Sequence, residues 1–487
     1  MTDPHAPSTE LAHLSLDELW GRMDARQLTS TQLVDTLLER IQALDDVDTP
    51  MHLNSVAALA HDARDVALER DDERAKGLLR GPLHGIPVLI KDNIEAIGLP
   101  GLAGSTSLVG RPARDASLVT RLREAGAIIV GSTNLSQWAN IRSPRSTSGY
   151  SSSAGLVGNP WALDRSAGGS SSGSGAALAA GLAPIAVGTE TDGSITCPAS
   201  VNGVVGLKPT VGTVPTRFVV PISDSQDSPG PMARTVEDLA ILYGVLSATT
   251  APQVQTPSFA VASNWRTGNP ETDELFDVVV GAMKQRGLHV SDREFAVPGE
   301  REQHDELTVM LAELVDNMST YLSERPGEGV SSLADVIEYE DEHRDVEQVY
   351  FGHEFFTMAV DTGGKSAATY VEARARNLAW AIDTCLSPGL EGVDVTIAPA
   401  YGPSWKSDLA VGGHPGPASC ATMAPAIAGW PILCLPIGLV KDLPVGLAII
   451  GRPHSEWTLI EAARRIEALV VATSPLPRPF WKQPVRG

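Results

Sequence analysis

Gly168-Gly169-Ser170-Ser171-Ser172-Gly173-Ser174-Gly175, followed by Gly188-Thr189-Glu190-Thr191-Asp192-Gly193-Ser194-Ile195, decides how this chain is read. Glycine and serine are the commonest linker residues. A linker, however, does not normally run at once into an apolar Ala-rich helix such as Ala176-Ala177-Leu178-Ala179-Ala180. Nor does it usually precede a short strand (Pro184-Ile185-Ala186-Val187) that ends in a second Gly-Ser turn. Two serines on tight glycine turns read instead as a place where backbone comes close to a reacting group.

Outward from this stretch the pattern alternates. Gly85-Ile86-Pro87-Val88-Leu89-Ile90-Lys91-Asp92 is a short apolar strand ending in charge, and Ala127-Ile128-Ile129-Val130 is another, with a helical stretch at 117–125 between them. Strands near Ala186 and Val204-Val205 and a helix from Thr235 to Ser247 continue the series. Such alternation predicts an α/β fold, a large mixed twisted sheet covered on both faces by helices. Its reactive residues are expected at strand ends and on the loops that follow. Sheet elements return at Val395-Thr396-Ile397-Ala398, Ile432-Leu433-Cys434-Leu435 and Leu447-Ala448-Ile449-Ile450.

One catalytic domain is expected, in four parts. Residues 1–75 form an N-terminal helical cover, with capping boxes Ser15-x-x-Glu18 and Thr29-x-x-Gln32 and an apolar stripe at Leu33, Leu37, Ile41 and Leu44. Residues 76–264 are the core, 265–390 a variable helical insertion, and 391–487 the C-terminal part of the core sheet. The acidic stretch Glu338 to Glu347 reads as a solvated helix face.

The 487 residues carry a formal charge of −22, which repels nucleic acid and anionic membranes. The four cysteines, Cys197, Cys385, Cys420 and Cys434, are scattered without a C-x-x-C and read as free thiols in a reducing compartment. The polar start, Met1 to Leu14, has no apolar signal core, and no run reaches the length of a membrane span. A cytoplasmic protein is expected.

Lys91 closes an apolar strand. Desolvation there lowers a lysine pKa, and a neutral lysine is a general base near neutral pH; a strand-end lysine facing water fits the strand equally well. Ser194, after Thr191-Asp192-Gly193, has its hydroxyl presented by a glycine turn whose N–H groups can converge on an oxyanion, although an ordinary turn has the same sequence. Ser170 carries the same ambiguity. Ser-Lys pairs are known alternatives to Ser-His-Asp, so the three residues gain meaning together.

Taken with Gly81-Pro82-Leu83-His84-Gly85-Ile86-Pro87, Lys91-Asp92-Asn93, Gly203-Val204-Val205-Gly206-Leu207-Lys208-Pro209-Thr210, Gly230-Pro231-Met232-Ala233-Arg234, Leu443-Pro444-Val445-Gly446-Leu447 and Gly451-Arg452-Pro453, the chain strongly resembles the amidase signature family of serine hydrolases. The resemblance covers about 80–245 and 395–470 and is loose over 265–390. It implies Ser194 as the nucleophile that forms an acyl-enzyme. Ser170, in a cis peptide after Gly169, relays the proton, and Lys91 is the base. The N–H groups of Thr191, Asp192, Gly193 and Ser194 form the oxyanion hole. It implies no metal or organic cofactor and an amide as substrate; a monomer or homodimer is expected.

Many family members carry two glycines before the nucleophile and an arginine two residues after it; here these positions read Asp192-Gly193 and Thr196. This form resembles the subgroup that includes peptide amidases, as do Ser132 to Asn140 and Ser225 to Pro231. C-terminal peptide amides or amino-acid amides are therefore the expected substrates. A broad aliphatic or aryl amidase is the alternative. The amidase subunit of a tRNA-dependent amidotransferase and a non-catalytic relative follow behind. Trp138 and Tyr150 are candidate substrate contacts, with core packing or loop anchoring the competing reading. Asp227 is expected to hold the turn before Gly230.

Overall fold

The structure, a computed structural model, describes residues 10–46, 48–49, 51–110, 114–325, 330–412, 416 and 418–473. Residues 1–9 of the polar start and 474–487 of the C-terminal part lie outside the described residues.

Eleven strands build one sheet. In chain order they are β1 (Val56–Leu59), β2 (Pro87–Lys91), β3 (Ile128–Thr133), β4 (Ile185–Glu190), β5 (Val205–Lys208) and β6 (Ser228–Ala233). They continue as β7 (Phe259–Ala262), β8 (Val290–Arg293), β9 (Val395–Pro399), β10 (Ile432–Val440) and β11 (Leu443–Gly451). Their spatial order is β1-β3-β2-β4-β6-β5-β10-β11-β9-β7-β8. The sheet is mixed, as the alternation predicts: β2 runs parallel to both β3 and β4, whereas β6 runs antiparallel to β4 and β5.

The central strands are buried along their whole length and turn polar only at their ends, at Lys91 and at Thr189-Glu190. Every residue of β2 and of β4 is buried, the pattern of a strand covered on both faces. This burial is what places Lys91, the last residue of β2, beyond the reach of water. The two edges are harder to read. Val290-Ser291-Asp292-Arg293 has one apolar residue, yet it pairs in parallel with β7. The stretch 265–390 therefore contributes a sheet edge as well as helices. In the same way β1 adds an edge strand within residues 1–75.

The expected caps form. Ser15 and Thr29 each make a reciprocal capping box, opening the helices Leu16–Asp24 and Ser30–Leu44. Each such cap stabilises a helix by about 1 kcal/mol. The first helix is tied to the core where the Leu16 N–H donates to Asp238 Oδ1 at 2.9 Å. Among the described residues no helix is long and apolar enough to cross a membrane.

Candidate active site

Three chain segments meet at the ends of β2 and β4. The first supplies Lys91, which is fully buried. Its Nζ lies 2.6 Å from Ser170 Oγ and 2.9 Å from Thr189 Oγ1. Burial lowers its pKa from the usual lysine value to about 7, against the opposing pull of the Asp227 and Glu190 charges. An amine of this kind is largely neutral just above pH 7 and able to accept a hydroxyl proton.

The second segment supplies Ser170. The Gly169–Ser170 peptide is cis, and the Ser170 carbonyl accepts from the Ser136 N–H at 3.1 Å. The helix Ser172–Ala179 begins immediately after it. Gly173 in that helix abuts the carbonyls of Ser55 and Asn134, leaving no room for a Cβ. This close approach explains why the serine run is interrupted by glycine.

The third segment is the turn 191–195 after β4. Glu190 Oε2 accepts from the N–H groups of Ile195 (2.6 Å) and Thr196 (2.8 Å), folding the turn onto the helix Thr196–Asn202. Gly193 takes φ +77°, a conformation glycine adopts without strain. Ser171 joins the two serine loops. Its N–H donates to the Ser194 carbonyl at 3.0 Å and its hydroxyl to the Thr189 carbonyl at 3.1 Å. Ser194 itself is 8% exposed. Among the described residues, the N–H groups of Asp192, Gly193 and Ser194 have no backbone acceptor, so they are available to an oxyanion. The fold thus brings Lys91, Ser170, Thr191, Asp192, Gly193 and Ser194 into one place.

Asp227 holds the neighbouring turn, as expected. It accepts from Thr191 Oγ1 at 2.6 Å and from the N–H groups of Ile222 and Ser223. Burial raises its carboxyl to about 6 despite these donors. A cavity of about 380 Å3 lies next to it, lined at the strand ends by Asn93, Thr189, Thr191 and Asp227 and on the far side by Asn317 and Tyr321 of the helix Glu300–Glu324. It reaches the residues that surround Lys91, not the two serines.

Trp138 and Tyr150 pack against the helical insertion, and Trp138 also lines a small cavity with Asn93, Ala139 and Ile222, residues shared with the larger one. Trp138 Nε1 donates to Glu340 Oε1 at 2.9 Å, and its ring meets Phe356 edge-on. Tyr150 packs edge-on against Tyr350 and Phe351. The acidic stretch is exposed at Glu338, Asp341, Glu342 and Asp345, as expected of a solvated face, but two of its carboxylates depart from it. Glu340 and Glu347 are fully buried, each 3.6 Å from Arg142 Nη1. Gln137 Nε2 also donates to Glu347 Oε2 at 2.5 Å. Charge patterning along the helix does not reveal this, because Arg142 is remote in sequence. Tyr401, Thr422 and Asn93 are further neighbours of the site that sequence reasoning does not single out. Of these, only Asn93 stands inside a family motif, beside Lys91 and Asp92.

The amidase family model matches residues 32–460. The chain belongs to this family. It is an amidase, a hydrolase of amide bonds. A putative amidase of Schizosaccharomyces pombe is 32% identical, over 96% of this chain and 87% of its own. A glutamyl-tRNA(Gln) amidotransferase component of Chloroflexus aurantiacus is also 32% identical, over 96% and 99%. Among solved structures, the native peptide amidase from Stenotrophomonas maltophilia superposes with a TM-score of 0.88 at 37% identity, covering 97% of this chain and 99% of that one. A peptide amidase bound to the competitive inhibitor chymostatin gives 0.89 at 37%, covering 96% and 99%.

Proposed function

We propose that the enzyme releases ammonia from C-terminal carboxamides of peptides or from amino-acid amides through an acyl-enzyme on Ser194. The observation that carries the chemistry is the buried Lys91 amine 2.6 Å from Ser170 Oγ. The likeness to peptide amidases at 37% identity over nearly the whole chain supports the substrate class.

In this mechanism neutral Lys91 takes the Ser170 proton as Ser170 takes that of Ser194. Ser194 Oγ attacks the carboxamide carbon, and the carbonyl oxygen becomes an oxyanion facing the N–H groups of Thr191, Asp192, Gly193 and Ser194. One such donor is typically worth about 2.7–4 kcal/mol in the transition state. The proton returns through Ser170 to the nitrogen, and ammonia leaves. Water, deprotonated along the same path, attacks the ester and releases the carboxylic acid. Ser170→Ala interrupts the relay, and kcat is expected to fall by about 10²–10⁴-fold. A near-normal rate would show that Lys91 reaches Ser194 without it.

Because Lys91 acts as the neutral amine, kcat/KM is expected to rise with pH and level off above about 7, the value to which burial brings its pKa. Below that limb, protonation of the base removes activity. A profile flat from pH 5.5 to 8 contradicts the base role.

Ammonia release from a C-terminally amidated dipeptide, an amino-acid amide, an aliphatic amide, an anilide and glutamine tests the substrate class. Fast release from the first two supports the proposal. Preference for the aliphatic amide or anilide makes the enzyme a broad amidase, and preference for glutamine moves it toward the amidotransferases.

A further inference from the structure

We infer that Tyr401 is a positioning residue for the oxyanion turn, its phenol oxygen, with the Thr422 hydroxyl beside it, fixing Gly193 so that the N–H groups around it converge. The inference rests on the reading of Ser194 as nucleophile. A Cβ on Gly193 would stand 2.6 Å from Tyr401 Oη and 3.9 Å from Thr422 Oγ1. The phenol oxygen therefore occupies the face that glycine leaves open, on the residue whose φ is +77°. Thr422 faces both the Asp192 carboxyl and the Tyr401 phenol. Asp192 Oδ1 is buried with no hydrogen-bond partner, so that oxygen gives the turn no anchor of its own.

Tyr401 is well placed to act as a stop. It comes two residues after β9, and its neighbour Ala400 donates its N–H to the Gly446 carbonyl at 2.9 Å. Tyr401 bridges to Ala418. Its carbonyl faces Ser200 Oγ at 3.5 Å, on the helix that the nucleophile turn enters. The far end of the turn is held by the Cys197 N–H donating to the Gly193 carbonyl at 2.7 Å. Glycine has more backbone freedom than any other residue, and oxyanion donors act only when they are oriented beforehand. Contact on its open face removes that freedom where it matters for the transition state.

The experiment is steady-state kinetics of Tyr401→Phe on an amidated dipeptide, with thermal melting. The variant lacks one oxygen and keeps the ring. We expect kcat to fall about tenfold, KM to stay within about twofold, and the melting temperature to stay unchanged. Thr422→Val is expected to lower kcat in the same sense. A wild-type kcat in Tyr401→Phe, a raised KM at unchanged kcat, or a loss that follows a lowered melting temperature overturns the role. Ser194→Ala, measured alongside, separates the layers. If it is inactive while Tyr401→Phe behaves as wild type, only the role of Tyr401 fails. If Ser194→Ala still turns over, the nucleophile fails and the inference with it.

Discussion

Lys91→Met is expected to abolish turnover and yet raise the melting temperature at neutral pH. Activity is lost because no other amine contacts the Ser170 hydroxyl among the described residues; Lys91 Nζ is the group 2.6 Å from it. Stability moves the other way because the lysine is fully buried. Lowering its pKa from 10.5 to about 7 corresponds to a folding penalty on the order of 4–5 kcal/mol at or below pH 7. Methionine has a similar shape and no charge to desolvate. The lost hydrogen bonds to Ser170 and Thr189 offset part of the gain, at about 1 kcal/mol each.

The sign with pH follows from linkage. Between about 7 and 10.5 the unfolded wild-type chain holds a proton that the folded chain lacks, so wild-type stability rises with pH across that window. The advantage of the variant is therefore largest at pH 7 and below, and shrinks as pH approaches 10.5. Thermal melts of both proteins at pH 7 and pH 9.5 check this. A variant that is less stable at pH 7, or a gap that widens with pH, contradicts a buried neutral lysine.

Ser194→Ala is expected to reduce turnover by on the order of 10⁴-fold or more, the scale seen when a serine nucleophile is removed from an otherwise intact site. The fold does not depend on the hydroxyl. The contact that locks the two serine loops uses the Ser194 carbonyl, accepting from Ser171 at 3.0 Å, and alanine retains it. Melting temperature and KM for an amidated dipeptide are expected to hold. The mass of the protein after treatment with a fluorophosphonate checks the assignment directly: the wild type gains one adduct and the variant none. An adduct on the variant would relocate the nucleophile.

The centre of the molecule was legible in the sequence because its elements announce themselves locally. β2 is a continuous apolar run ending in Lys91, and Ser170 and Ser194 stand on glycine turns beside a helix and a strand whose periodicities are plain. The strand at 290–293 was not legible, since one valine among polar residues does not distinguish an edge strand from a loop. The burial of Glu340 and Glu347 was equally hidden. A carboxylate is sent inside by a cation from another segment, here Arg142, and no pattern along the acidic helix encodes that meeting. Tyr401 illustrates the same limit. Its contact with Gly193 is made by folding, across a sequence gap that neither spacing nor composition bridges.

The Arg142 junction has a consequence for building chimaeras between relatives. In the sequence, the segment around Arg142 and the insertion 265–390 look unconnected. In the fold a single guanidinium faces Glu340 and Glu347 and donates to the Phe351 carbonyl at 2.9 Å. Trp138 and Gln137 share the same two carboxylates. Grafting a relative's insertion without its matching loop would strand a buried cation, and grafting the loop alone would strand two buried anions. A removed partner in such a cluster costs about 3–5 kcal/mol. In chimaeras the two segments are therefore expected to keep the fold's stability only when they are transplanted together.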